Sequence, residues 1–378
     1  MPDQSRNHRR IIPAVCLLAL ACAGCGGDDE QISEQAELTP EEAGVTTEDF
    51  HWETPGEKVG LPAGAVSSVE LTPEELWVVA EGRLYRSART DLAFSPVDDS
   101  ALPTGLERVE FGNGVLWALG RGAAYSADLG SSWRAARLPD RDDGDWTCFG
   151  ADLLGDDAYL GTDGGLLHDY SFNPRGNAAF QLGEPLMGNE IGHRRITDVC
   201  VAEGMIWVVS PDEYGFLAKL DGEIGRWTMV HPYDPFNRVE VSGERVWVGS
   251  AGLGIFRSDD GGGSFYEVNP GGDWKNVNGI ALGLGAAWAA SDGGAIYYPY
   301  GEGQWEFHGV QEGADFGAMA DVAFDEEANT AYFATPQGLA VGVKEGPPAP
   351  DPEAVEEAAE EGAPGEEGGE AGNPAEEG

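Results

Sequence analysis

An aromatic residue inside a short apolar run recurs seven times along this chain, at Trp77, Trp117, Tyr159, Trp207, Trp247, Trp288 and Tyr332. The intervals are 40, 42, 48, 40, 41 and 44 residues, so one structural unit is repeated seven times. Each run reads as a strand, from LWVVA and LWALG to AYFAT. Another short apolar strand precedes it, as in RVEFGNGVLWALG and RVEVSGERVWVGS, and a glycine turn and third strand follow, as in GRLYRS and LGIFRS. A fourth strand closes most units, as in SWRAARL, RWTMVHP and SFYEVNP. Nowhere in this region does the apolar period of 3.6 that marks a helix occur. Four short strands per unit of about 40 residues predict an all-β fold, a seven-bladed β-propeller of four-stranded blades. A single blade cannot bury both of its faces, so the units must stack until a ring closes. The seven aromatics are expected to fill the space between blades.

Closure is itself encoded. The seventh unit, DVAFDEEANTAYFATPQGLAVGV, has three strands and lacks a fourth. At the other end DFHWETP, Asp49 to Pro55, matches the fourth-strand pattern of SFYEVNP. The N-terminal strand is therefore expected to complete the last blade, giving a ring over 49–343 latched by its two ends. An unpaired strand edge would otherwise stand open.

Residues outside that ring carry different signals. Arg6, His8, Arg9 and Arg10 precede an apolar run from Ile11 to Ala21, the layout of a signal peptide over 1–24. The run is too short to span a bilayer stably. The ending Ala23-Gly24-Cys25 resembles a lipobox, which implies that Cys25 is lipidated; Cys22 stands where that motif prefers Leu. Gly26 follows and no aspartate does, so by resemblance to the lipoprotein sorting rule the outer membrane is expected, with attachment by lipid alone. Asp28 to Glu57 holds eleven acids and no Lys or Arg; Lys344 to Gly378 holds twelve acids and one Lys. The tether 25–48 and the tail 344–378 lack the apolar residues that offset ordering entropy, so both are expected to be disordered. Across the chain 67 acids face 22 basic residues. Such a surface excludes nucleic acid as a partner, because phosphate contacts need Lys and Arg. The remaining expectation is a monomer binding an envelope protein or glycan, with no cofactor.

The turns between third and fourth strands carry a family resemblance. Ser126, Asp128, Gly130 and Trp133 are spaced as in an Asp box, and Ser258, Asp260, Gly262 and Phe265 repeat the pattern with Phe for Trp. Degenerate versions occupy 87–94, 220–227 and 298–305. The core thus resembles the Asp-box, or BNR-repeat, propellers of the sialidase superfamily, including photosystem assembly-factor-like and sortilin-like members. In such a turn the carboxylate accepts backbone N–H bonds, the glycine takes a positive φ and the aromatic packs below. The resemblance implies a fold rather than a reaction, since in those propellers the boxes lie away from the active site.

Motifs for chemistry are sparse. The sialidase Arg-Ile-Pro motif is missing, and Arg83, Arg86 and Arg89 read as a solvated face. Six scattered histidines show no paired-ligand spacing, and no nucleophile elbow or P-loop occurs. Asp140 to Asp145 lacks the distal Glu of a calcium loop and reads as an acidic turn. No metal site is expected. Cys148 and Cys200 fall in the innermost strands of consecutive blades, either bridged or as two buried thiols. Two functions stand: a non-enzymatic binding or assembly scaffold, and a surface glycan hydrolase. Carboxylates facing an arginine in the central funnel would favour the enzyme; an open aromatic-rimmed face would favour binding. The candidate ligand face, opposite the Asp boxes, collects Arg108, Trp146, His193, Arg195 and Tyr233. From later blades it adds Arg238, Trp274 and Phe316, and from the glycine turns Asp163 and Asp292. Aromatic and arginine side chains on loops of a rigid scaffold are the usual material of binding sites.

Overall fold

The computed structural model describes residues 50–54, 56–142, 144–182, 194–223, 226–268, 275–283, 286–299, 306–308 and 317–344. The expected signal peptide and acidic tether, and all of the expected acidic tail beyond Lys344, lie outside them. The described residues form seven antiparallel sheets, one per sequence unit, arranged as a ring of four-stranded blades. The innermost strands, in blade order, are Val66–Leu71, Thr104–Gly112, Cys148–Leu154, Asp198–Ala202, Phe236–Ser242, Val277–Leu282 and Asp321–Asp325. In blade 2 the single segment Val115–Ser126 supplies the second and third strands. Inner hairpins are tight. Asn113 and Gly114, for example, both have positive φ (50° and 80°), the geometry that two-residue hairpins favour and that Asn-Gly adopts at least cost.

The ring is closed as the sequence predicted. Phe50–Glu53 pairs with Gly338–Lys344 in the register Phe50↔Lys344 to Glu53↔Val341, adding a fourth strand to blade 7. Trp52 lies over Gly342, where a Cβ would come within 2.6 Å of its ring. It packs on Trp288 and Phe333 at centroid distances of 6.2 and 5.6 Å. The N-terminal strand therefore joins two blades as well as completing one.

Seven apolar clusters form the core, one in each seam between neighbouring blades. Trp77 of blade 1 packs with Leu106, Val109 and Leu116 of blade 2. Trp207, Trp247 and Trp288 do the same against blades 5, 6 and 7. Tyr332 of blade 7 meets Leu61, Val66 and Val69 of blade 1 and closes the series. All five tryptophans of this set are at most 2% exposed, so they are filler between blades. The cations opposite them serve the same rings: Arg86, Lys219 and Arg257 stand over Trp77, Trp207 and Trp247 at 5.0–5.8 Å.

The turns with the Asp-box spacing are built alike. Ser126 Oγ accepts the Gly130 N–H at 2.8 Å and donates to Asp128 at 2.8 Å, while Asp128 accepts the Ser132 N–H and hydroxyl at 2.9 and 2.7 Å. Ser258, Asp260, Gly262 and Ser264 repeat these bonds. Each glycine has positive φ and lies flat on the tryptophan of the preceding blade. A Cβ on Gly130 would overlap the Trp77 ring, and one on Gly262 would sit 2.6 Å from Trp207. Trp133 meets Trp77 edge-on at 6.0 Å.

One expectation is corrected. The three arginines of blade 1 do not share a solvated face. Arg83 is exposed beside Asp98, but Arg86 covers Trp77, and Arg89 reaches into the last seam to bind Asp325 of blade 7 (Nε–Oδ2 2.7 Å). Side-chain length lets Arg89 pair across a seam that strand position alone does not reveal. Both Cys148 and Cys200 are free thiols.

Candidate ligand-binding funnel

The inner strands all run the same way, so their first residues surround one end of the axis. There a cavity of about 450 Å³ opens, with walls from all seven blades; they include Ser67, Glu107, Phe149, Thr197, Asn278 and Met319. Arg108, Arg195 and Arg238, three of the predicted ligand-face residues, line it together.

Below the mouth the bore is charged. The inner-strand residues paired with the blade aromatics are Glu70, Glu110, Asp152, Cys200, Glu240, Ala281 and Ala323. Two residues nearer the funnel stand Ser68, Arg108, Gly150, Asp198, Arg238, Gly279 and Asp321. Much of this polarity has a backbone cause. An inner strand is an edge strand whose outward N–H groups find no partner in their own sheet, and a buried N–H needs one. Side chains of the preceding blade supply it. Asp321 accepts from Val69 N–H (3.3 Å) and from the Ser68 hydroxyl (2.8 Å), and Ser68 accepts from Val109 N–H (3.2 Å). Glu110 accepts from Ala151 (2.6 Å), Asp152 from Val201 (2.7 Å) and Asp198 from Val239 (2.9 Å). Asn237 and Asn278 carry the stitching onward by donating to Val277 and Met319 carbonyls. Glycine at 150 and 279 lets inner strands approach closely: a Cβ at either position would lie 2.9 Å from the backbone of the next blade.

The arginines divide by environment. Arg108 spans the bore, 2.5 Å from Glu110 and 3.5 Å from Asp198, and these acids hold it charged despite its burial. Arg238 donates to the Thr197 and Asn237 carbonyls, and burial, with the Arg108 charge beside it, lowers its pKa. Arg195 is exposed and stacks over Phe149 at 4.6 Å. The acids feel the burial more strongly. It pushes Glu70 up to about 8 and Asp152 up to about 6, raises Glu110 against the pull of Arg108, and takes Glu240 well above the usual carboxylate range.

Other predicted face residues are committed to their own loops. Trp146 is half-buried, donates to the Pro139 carbonyl (2.8 Å) and carries Arg141 over its ring, while Asp163 binds Arg141 (2.6 Å). Asp292 accepts from Asn276 and Asn278. Tyr233 is open, 73% exposed. His193, Trp274 and Phe316 lie outside the described residues.

No protein-family model and no curated protein matches the sequence. Solved structures do. The extracellular domain of the hybrid two component system BT3049 from B. thetaiotaomicron superposes with a TM-score of 0.61 at 13% identity, over 79% of this chain and 42% of that one. YCF48 from Cyanidioschyzon merolae gives 0.56 at 14% identity over 78% and 98% of the two chains, and YCF48 bound to D1 peptide gives 0.57. The chain is a seven-bladed β-propeller. It spans about two fifths of the length of the sensor domains it matches. At such identities the likeness establishes the propeller fold alone.

Sequence reading of the propeller missed the charged bore. A signal was present: in six blades the bore residue lies seven positions before the blade aromatic, and RVEFG and RVEVS place Arg and Glu there twice.

Proposed function

We propose that this propeller is a non-enzymatic binding module of the cell envelope, tethered through lipid at Cys25 and taking its ligand at the axial funnel. The observation that carries the reading is the funnel itself: an open cavity walled by all seven blades, holding an exposed arginine on an otherwise acidic protein. The structural neighbours fit, being extracellular domains of sensor proteins and YCF48 with its bound peptide. Topology fixes the point of attachment. Phe50 pairs with Lys344, at the end of a third strand, which is the face opposite the funnel. The tether would thus join the ring on the face opposite the funnel.

Co-purification from solubilised envelopes tests this. A partner that binds the wild type should be lost from an Arg195→Glu, Tyr233→Ser variant whose unfolding temperature is unchanged; equal recovery overturns the funnel. For the anchor, Cys25→Ser should leave unprocessed precursor in the aqueous phase of a detergent partition. Normal lipidation of that variant, abolished instead by Cys22→Ser, would move the site to Cys22.

A surface glycan hydrolase is the second reading, favoured by carboxylates that do face two arginines in the bore. Glu110, Asp152, Asp198 and Asp321 are, however, spent on backbone N–H groups. Turnover of a reporter glycoside that is abolished by Glu240→Gln would establish the enzyme.

A further inference from the structure

We propose that the funnel and a tyrosine ledge beside it bind an extended peptide of mixed charge; the proposal rests on the funnel being the binding site. Two exposed charges line the cavity, one from blade 4 and one from blade 2. Arg195 of blade 4 is exposed, and among the described residues no carboxylate pairs with it. Glu107 of blade 2 is exposed and equally without a cation. Of the neutral polar groups of the wall, Thr197 donates to the Asn237 carbonyl and Asn278 to that of Met319. What the open part of the wall offers a ligand is therefore one exposed charge of each sign, from blades 4 and 2.

The ledge adjoins the Arg195 side. Tyr214, in the second-to-third strand turn of blade 4, is 57% exposed, and Tyr233, in the loop leaving that blade, is 73% exposed. They are fixed side by side: the Tyr233 N–H donates to the Gly215 carbonyl at 2.8 Å, and the Arg194 guanidinium holds the Tyr214 carbonyl. Leu253, 39% exposed, continues the surface onto blade 5, where Ala251 and Ser250 both bond the Pro235 carbonyl. Tyr233 has φ 75°, a left-handed backbone that a tyrosine adopts only against strain. Its side chain gains no burial in return. Strain held in place to present an exposed aromatic is characteristic of binding surfaces.

The charges choose the ligand class. An acidic sugar would satisfy Arg195 but leave Glu107 facing nothing. A peptide carries an acid, a base and an apolar side chain within a few residues. It satisfies both walls and covers the ledge with one extended strand, and arginine and tyrosine are the side chains that most often anchor such contacts.

A randomised nonapeptide library panned on the full propeller, with every variant checked by thermal unfolding, tests the assignment. Wild type should enrich peptides carrying an acidic and a basic residue at fixed spacing beside an aromatic or aliphatic one. Arg195→Gln should erase the preference for the acid alone, Glu107→Gln the preference for the base alone, and Tyr214→Ser with Tyr233→Ser the apolar one. In fluorescence anisotropy the best peptide should lose roughly tenfold in affinity on Arg195→Gln, and its acid-to-amide version should lose little more. Enriched peptides that ignore charge, or whose preferences survive the substitutions, overturn the proposal. Oligogalacturonate, as an acidic glycan probe, separates the two levels. If it binds in an Arg195-dependent way while no peptide is selected, the funnel stands and the peptide falls; if neither probe senses Arg195→Gln, both fall.

Discussion

Glu70 and Trp77 are direct cross-strand neighbours on one face of blade 1, both turned toward blade 2, yet they end in opposite environments. Trp77, one strand farther from the axis, is sealed in an apolar seam. Glu70 stands where the seams run out and inner strands face each other around a bore. The same comparison holds for Trp117 with Glu110 and Trp247 with Glu240. Distance from the axis, a property of the ring, decides which chemistry a strand position needs. Far out, neighbouring blades press flat and only shape-matched apolar side chains fill the gap. Near the axis the sheets end in open edges, and polar side chains must satisfy the backbone.

The contrast is sharpest in stability. Trp77→Ala should cost about 3–5 kcal/mol, as truncation of large buried aromatics does, read from the urea midpoint. Glu70→Gln should cost far less. A result reversing that order would mean the bore, not the seams, holds the ring together. Removing residues 50–53 deletes Trp52 from its contacts with Trp288 and Phe333 and reopens the edge of blade 7. A loss of roughly 2–3 kcal/mol is expected for the aromatic alone, whereas deleting 345–378 should leave thermal unfolding unchanged.

Titration separates the regions further. Burial raises Glu70 to about 8 and Glu240 well beyond the ordinary range, so the folded ring keeps protons that the unfolded chain releases near pH 4.3, about the ordinary Glu value. Such a contribution is complete below that pH and is lost as pH rises through about 8. Unfolding temperature should therefore fall between pH 6 and 8.5, by up to about 1.4 kcal/mol of stability per pH unit for each such group. Glu70→Gln with Glu240→Gln should flatten the slope, and Trp77→Ala should lower the curve without changing its shape. A flat wild-type profile would show the bore to be wet enough to ionise. The turn from Ser126 to Trp133 should have the smallest effect and the opposite sign. The Ser132 hydroxyl and its neighbours hold Asp128 below its usual range, so its contribution is present at neutral pH and fades only as pH falls into the acid range. Asp128→Asn should shift the unfolding temperature slightly at pH 7 and less at pH 3.

How much of this was legible follows from range. The seven blades, the Trp and Tyr filler and the latch at Phe50–Glu53 could be read from a repeat of about 40 residues, because each unit must bury the same faces with the same alternation. Three arginines of the funnel were legible for a related reason: they sit in or just before the first half of an inner strand, a fixed place in the unit. Trp146 shares that address, and Asp163 lies in a glycine turn of the same face, but both are taken up by Arg141 in the loop between blades 2 and 3, a contact with no period to betray it. The ledge was half seen, Tyr233 but not Tyr214. Nothing in its sequence distinguishes an exposed tyrosine in a turn from a packed one.

By itself the sequence determined the strand alternation, the number of blades and which end of the chain completes the last sheet, since these follow from local periodicity and from one missing strand. Only the ring decided that Glu70, Glu110 and Glu240 converge with Arg108 and Arg238 on one axis, that Arg89 pairs with an aspartate 236 residues away, and that Arg195 and Glu107 line one cavity. Those side chains come from blades 40 to 240 residues apart. Their protonation and their partners depend on which neighbours closure brings within a few ångströms and how much water it excludes, and no local stretch of chain contains either quantity.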